Sequence, residues 1–262
     1  MMPQRQGCRM EPVRKGRYLA RLAASPDDLR AAQRLRWLCF VAPAGAGGGA
    51  DGPGLDADAL DAQCRHMLVT EAATGRLVCC FRLMVLPGGR DIGRSYSAQF
   101  YDLSALEAFA GPMIEVGRFC VHPSVHDPDI IRLAWAALTR IVDDTGARML
   151  FGCSSFPGTE PEPHAQALAM LQARHLAPLR WRPRIKAPHV FPLACAARPG
   201  PFDPGRALAA MPPLLRSYLA LGGWVSDHAV IDRALRTLHV FTGVEIASIP
   251  PARQRLLRSL AR

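Results

Sequence analysis

Met113-Ile114-Glu115-Val116-Gly117-Arg118-Phe119-Cys120-Val121-His122-Pro123 is the stretch whose reading decides the fold. Its apolar content predicts a strand over 113–121, closed by the His-Pro pair. Glu115 is the only acid in that strand, and acids are seldom buried unless paired or functional. Side chains alternate along a regular strand, so residues 115 and 118 would face opposite sides. A bulge at Gly117 would let Glu115 and Arg118 reach one site and would free backbone N–H groups from the ladder. A freed N–H is what a thioester oxyanion needs. A surface Glu–Arg pair is the plainer alternative, and spacing by itself leaves both open.

Downstream, Asp127-Pro128-Asp129 starts a helix whose apolar face is Ile130, Ile131, Ala134, Trp135, Leu138, Ile141 and Val142, and Gly146 ends it. The start of that helix is a place for a phosphate. A lone acid on a strand followed by a helix start suits acyl transfer to an amine. The acid takes a proton, the bulge polarises the carbonyl, and the helix end holds the carrier's phosphate. Residues 148–153 read as a further strand, and 163–175 and 213–221 as helices. Upstream, residues 16–22 read as a first strand. Ser25, Pro26, Asp27 and Asp28 open a helix carrying Leu29, Ala32, Leu35 and Leu38. Residues 66–70 and 77–86 form a hairpin around Ala73-Thr74-Gly75. The Gly/Ala/Pro-rich stretch 42–54 reads as a lid-like loop. Strands and helices mix without strict alternation. The predicted class is therefore α/β (α+β), a mixed central β-sheet flanked by helices.

The chain has 262 residues, 49% hydrophobic and 21% charged, with a formal net charge of +10. We divide it into a disordered basic arm (1–16), one domain (17–250) and a basic amphipathic helix (251–262). That helix sets Arg253, Arg255, Arg258 and Arg262 against Leu256, Leu257 and Leu260. No apolar run reaches membrane-spanning length, and the first residues lack a signal-peptide core, so a cytoplasmic location is expected. The positive balance favours acidic partners. Arg180, Arg182, Arg184 and Lys186 make a proline-broken basic stretch without nucleic-acid signatures. It is expected to dock an acyl carrier protein or an anionic membrane, and no nucleic acid. The eight cysteines show no CxxC pair. Reduced thiols and no metal site are expected. Cys120 with His122 lacks an orienting third group. Ser154 with His164 lacks a nucleophile elbow. Asp56, Asp58 and Asp61 are either a solvated helix-start cluster or an anionic cage for a cationic amine.

Taken together, Glu115 to Pro123 resembles the ExGRxCVHP signature of the bacterial ornithine N-acyltransferases that make lyso-ornithine lipid. Leu29 to Phe40 resembles that family's AAQRLRxxVF helix, and Leu55 to Leu68 its acidic segment ending in CDHL, with Arg65 in place of the aspartate. Cys80-Phe81-Arg82-Leu83 is similar to TYRL, Phe151 to Gly158 to FGCASFxG, and Pro212 to Gly222 to PPLIKGYLRLG. The resemblance spans about residues 17–249. It implies a GNAT-like acyltransferase fold, splayed mid-sheet to admit a pantetheine arm and related to the acyl-homoserine lactone synthases. It implies Glu115, Gly117 and Arg118 as catalytic, and Arg36, Phe40, Asp58, Asp61, Arg82 and Ser154 as substrate-binding. The expected reaction moves a 3-hydroxyacyl group from acyl carrier protein to the α-amino group of ornithine, with no tightly bound cofactor, beside the inner membrane. Glutamine or glycine as acceptor, acyl-homoserine lactone synthesis and non-catalytic carrier or membrane binding are the alternatives.

Overall fold

The structure, a computed structural model, describes residues 10–42, 54–196 and 202–260. The chain runs β1 (Val13–Lys15), β2 (Tyr18–Leu22), α1 (Pro26–Arg36), β3 (Arg65–Glu71), β4 (Leu77–Leu86), β5 (Tyr101–Asp102), β6 (Met113–Val121), α2 (Pro128–Thr145) and β7 (Met149–Pro157). It continues through α3 (Ala165–Arg174), β8 (Arg184–Ile185), β9 (Val190–Pro192), α4 (Leu193–Ala196), α5 (Pro204–Ala210), α6 (Pro213–Ala220), β10 (Trp224–Asp232), β11 (Thr237–Glu245) and α7 (Pro251–Leu260).

Local chemistry sets the helix ends. The Ser25 side chain accepts from the Asp28 N–H, with Pro26 in the first turn. Asp127 caps α2 by accepting from the Asp129 N–H, and Gly146 closes it in the left-handed region at φ 64°. Beyond Arg36, α1 widens into a π-helical turn, Trp37–Val41.

Nine strands form one sheet in the order β1-β2-β3-β4-β6-β7-β11-β10-β9, and β5 pairs with β8. Among the described strands, β6 and β7 are the neighbours that pair in parallel, over Met113–Glu115 and Met149–Phe151. Past that point β6 stays on β4 and β7 on β11, so the sheet forks. Gly152 sits at the vertex, where a Cβ would lie 2.3 Å from the Val116 carbonyl oxygen. The second irregularity is in β6. Cys120 faces Cys80 and Gly117 faces Arg82, so three steps on β6 oppose two on β4. The extra residue is not Gly117. It falls at Arg118–Phe119, with Arg118 held at φ 53°, a region a non-glycine residue enters at a cost of order 1 kcal/mol.

One face of the β1–β6 half is covered by α2 through Ile130, Leu133, Ala137 and Ile141. On the other face α1 packs Ala32 and Leu35 against Leu68, Cys80 and Cys120. Further along that sheet, the 3-10 turns between β4 and β6 pack with Tyr101, Phe151 and Phe241. The helices α3 to α5 cover β7, β10 and β11.

Three expectations change. The arm expected over 1–16 gives up its last residues: Val13–Lys15 pairs with Tyr18–Leu22, and Met10 and Val13 are buried. Gly16, at φ 54°, makes the intervening turn possible. The amphipathic helix forms as α7, but Leu257 and Leu260 pack into the core beside α2, and Arg258 reaches Asp143 at 3.5 Å. The hairpin β10–β11 has no counterpart in the elements read from the sequence. The lid-like loop falls almost wholly outside the described residues. No described helix is long and apolar enough to cross a membrane.

Candidate active site at the fork

A cleft of about 600 Å³ opens where β6 and β7 part. Glu115, Gly117 and Arg118 line it from β6, Cys153, Ser154 and Ser155 from β7, and Val125 and Ile131 from around the start of α2. Phe40 and Tyr96 close one side, and Asp232, Thr237 and His239 another.

Glu115 is 4% exposed. Its Oε1 accepts from the Ser97 N–H (2.7 Å) and Ser97 Oγ (2.6 Å), and its Oε2 from the Tyr96 N–H (2.8 Å). Burial pushes its pKa up, and the bonds from Ser97 and Tyr96 and the charge of Arg82 act against that rise. A carboxylate has about four acceptor sites, so a lone pair remains on Oε2. The same bonds pin Tyr96, whose ring lies 5.0 Å from the Arg118 guanidinium and 5.8 Å from that of Arg82. The bulge thus brings Glu115, Tyr96 and Arg118 to one wall.

Behind that wall lies a network of three arginines and three aspartates. Arg36, 1% exposed, bonds Asp56 (2.8 Å) and Asp61 (2.7 Å). Arg82, 3% exposed, bonds Asp58 (2.6 Å) and Asp61 (2.9 Å). Arg118 bonds Asp56 (2.9 Å) and lies 3.8 Å from Asp58. Burial raises the Asp61 pKa, but Arg36, Gln33 and Arg82 outweigh it and hold it at about 2. Arg36, Asp58, Asp61 and Arg82 therefore pair with one another and do not line the cleft, whereas Phe40 and Arg118 do. A buried arginine needs acceptors more than a small ligand does, which is why the aspartates close on it.

The other candidates fall in scattered places. Ser154 lines the cleft but accepts from Thr242 Oγ1 at 2.9 Å, while His164 bonds the Pro157 carbonyl. Cys120 lies 3.6 Å from Cys80, and its thiol neighbours Cys39 and Cys80, together with burial, push its pKa well up. His122 bonds Ser124 at the surface. In the basic stretch, Arg182 donates to the Ala177 carbonyl and Lys186 to the Ala98 carbonyl, so both serve the fold. Arg180 and Arg184 stay exposed. The Asp127 carboxylate at the start of α2 also takes bonds from Arg17 and Tyr18, both 3.1 Å. Among the described residues, no group of three or more His, Cys, Asp or Glu side chains is placed to hold a metal.

Sequence reasoning missed Tyr96, Ser97, Asp232, Thr237 and His239. The first two sit at the start of the short 3-10 turn Ser97–Gln99, which has no periodicity. The other three share the unforeseen hairpin, where the one available signal was a histidine inside the apolar run Leu238-His239-Val240-Phe241.

Comparisons with known proteins identify the family. Residues 35–136 match the acetyltransferase (GNAT) domain family. An L-ornithine N(alpha)-acyltransferase of Rhodobacter capsulatus is 36% identical over 230 residues, covering 85% of this chain and 88% of the relative. One of Rhizobium meliloti is 33% identical over 238 residues, covering 87% and 80%. Among solved structures, an N-acyl amino acid synthase from uncultured soil microbes covers 96% of this chain and 98% of its own, at 12% identity and TM-score 0.46. A CoA-dependent acyl-homoserine lactone synthase covers 90% and 88%, at 13% identity and TM-score 0.44. With a GNAT domain and relatives above 30% identity along most of its length, the chain is an acyltransferase and belongs to the L-ornithine N(alpha)-acyltransferase family.

Proposed function

We propose that the protein transfers a 3-hydroxyacyl group from acyl carrier protein to the α-amino group of ornithine, giving a lyso-ornithine lipid. The observation that carries this reading is a buried carboxylate, Glu115, at the vertex of a forked sheet and beside a bulge. The relatives' names supply the acceptor.

Glu115 takes a proton from the substrate ammonium, directly or through water. The freed amine attacks the thioester carbonyl. The bulge lifts the Arg118 and Phe119 amides out of register, and one of them stabilises the oxyanion. The C–N bond forms, the C–S bond breaks, and the sulfur leaves as the thiol with the second proton of the attacking nitrogen. Arg118 meets the substrate carboxylate with a guanidinium already oriented by Asp56 and Tyr96. Arg36, Arg82, Asp58 and Asp61 act one layer back, holding Arg118 and Tyr96 in place.

The Asp127 carboxylate occupies the start of α2, so a phosphate of either donor would meet a like charge there, and this helix end does not separate a carrier from coenzyme A. The exposed Arg180 and Arg184 and the net charge of +10 suit an acidic carrier. The cytoplasmic face of the inner membrane is where such a lipid product would be released. The exposed side of α7, with Arg253, Arg255 and Leu256, suits contact with its anionic lipid. The purified protein, offered ornithine, glutamine, glycine and other amino acids with one 3-hydroxyacyl carrier thioester and with its coenzyme A counterpart, is expected to make only the ornithine amide and to prefer the carrier. Mass spectrometry of the products reads both choices. Acylation of another amino acid in preference to ornithine would refute the acceptor, and a coenzyme A preference the donor.

A further inference from the structure

The β10–β11 wall of the cleft holds polar atoms that the reaction above does not use. His239 is 2% exposed, and its Nε2 is buried with no hydrogen-bond partner. Its protonation is fixed by Tyr101. The Tyr101 hydroxyl donates its single proton to the His239 carbonyl at 2.8 Å and lies 3.2 Å from His239 Nδ1. A hydroxyl that has spent its proton can only accept, so Nδ1 carries the hydrogen and Nε2 is a bare lone pair. Phe100 packs edge-on against the ring, its centroid 5.1 Å away, and fixes its plane. Burial also pulls the His239 pKa down to about 4, so the imidazole is neutral.

Two more acceptors share that wall. Thr237, two residues back on β11, has a buried Oγ1 without a partner. Asp232 pairs with Thr237 across the hairpin and brings a carboxylate whose Oδ1 accepts from the Ala234 and Leu235 N–H groups. All three residues line the cleft. A bare imidazole lone pair, a carboxylate and a hydroxyl able to accept line this wall with the Thr237 O–H as their single donor, so they ask for a ligand that brings several N–H bonds and a positive charge.

The geometry points to Asp232, Thr237 and His239 as the subsite for the side-chain ammonium of a diamino acid, a reading that rests on ornithine as the acceptor. The α-amino group then lies at Glu115, the carboxylate at Arg118, and the distal ammonium on the β10–β11 wall. The cleft selects a cationic acceptor because a neutral one leaves these buried acceptors unpaired.

The test compares ornithine with norvaline, which has the same carbon chain and no distal amine, in wild type and three variants. Thr237→Val removes an unpaired buried hydroxyl, so folding is not weakened. His239→Asn keeps a donor where Nδ1 meets Tyr101 and deletes Nε2. Asp232→Asn keeps the oxygen that caps Ala234 and Leu235 and removes the charge. In each variant the ornithine-to-norvaline ratio of kcat/KM is expected to fall by about tenfold or more, the worth of a hydrogen bond to a charged group. A ratio that stays at the wild-type value in Thr237→Val and Asp232→Asn, while wild type still acylates ornithine, overturns the subsite alone. A wild-type protein that takes norvaline as readily as ornithine overturns both the subsite and the ornithine reading.

Discussion

Replacing Glu115 by glutamine separates what this side chain does for the fold from what it does for the reaction. Three donors converge on the carboxylate within 2.8 Å: the Ser97 N–H and Oγ on one oxygen and the Tyr96 N–H on the other. Glutamine can keep the Ser97 pair on its single oxygen. Its NH2 then faces the Tyr96 N–H, donor against donor. A lost bond to a charged group is worth about 1.5–3 kcal/mol, and an orphaned buried donor about 1–3 kcal/mol. Removal of a buried charge offsets part of this. A net loss of about 3 kcal/mol follows, and for a chain of this size that lowers Tm by about 6–12 °C. It leaves the protein folded if its stability is in the ordinary range of about 5–15 kcal/mol.

The chemical loss is larger. An amide cannot take the ammonium proton, so kcat is expected to fall by about 10²–10⁴. Ser97→Ala supplies the comparison. It removes one donor to the same carboxylate, about 1.5–3 kcal/mol, and leaves both the carboxylate and the two backbone bonds. Its turnover should drop only a few-fold. Thermal unfolding and single-turnover assays with a carrier-bound acyl thioester read the two effects separately. Glu115→Gln with a lowered Tm and a kcat within about threefold of wild type would show that Glu115 only secures the turn at Tyr96 and Ser97. A Tm unchanged from wild type would refute the hydrogen-bond argument itself.

Two further perturbations probe the same framework. Gly152→Ala places a methyl 2.3 Å from the Val116 carbonyl oxygen, so the vertex of the fork must spread. Strain of this kind costs about 1–3 kcal/mol, and kcat should fall at least about tenfold, while wild-type Tm and turnover would refute the close approach. Acid titrates the arginine–aspartate network. Asp61 is held at about 2 in the folded protein, below its ordinary 3.8. Its contribution, roughly 2 kcal/mol, is present above about pH 4 and is lost as the pH falls from about 4 to about 2. Urea midpoints measured between pH 6 and pH 2 should decline in that window, and the part of the decline owed to Asp61 should vanish in Asp61→Asn.

The sequence made the regular elements around the fork legible because each carries a local cause. The span of β6 follows from a mostly apolar run closed by His122-Pro123, and the ends of α2 from Asp127, Pro128 and Gly146. The distortion in β6 was also foreseeable, since Glu115 and Arg118 had no common face in a regular strand. Its position was not. Gly117 is the residue whose intrinsic freedom suits a bulge, yet the left-handed residue is Arg118. Tertiary contacts decide this: Asp56 and Tyr96 hold a guanidinium that a regular strand would point to the other face.

The same limit explains the aspartates. As a string, Asp56, Asp58 and Asp61 read equally as an anionic cage or a solvated cluster, because nothing nearby in the chain says which cations they meet. Their partners Arg36, Arg82 and Arg118 come from three separate elements, and only the folded sheet brings them within 3 Å. The hairpin carries the argument one step further. Asp232 and His239 are seven positions apart and more than a hundred from Glu115, in a segment whose alternation is blurred because both faces of β10 and β11 are buried. A strand covered on both sides loses the period-two signal that would announce it. Residues of this kind are least visible in sequence where they are most enclosed, and an unpaired acceptor such as His239 Nε2 becomes evident only when every neighbouring donor has been placed.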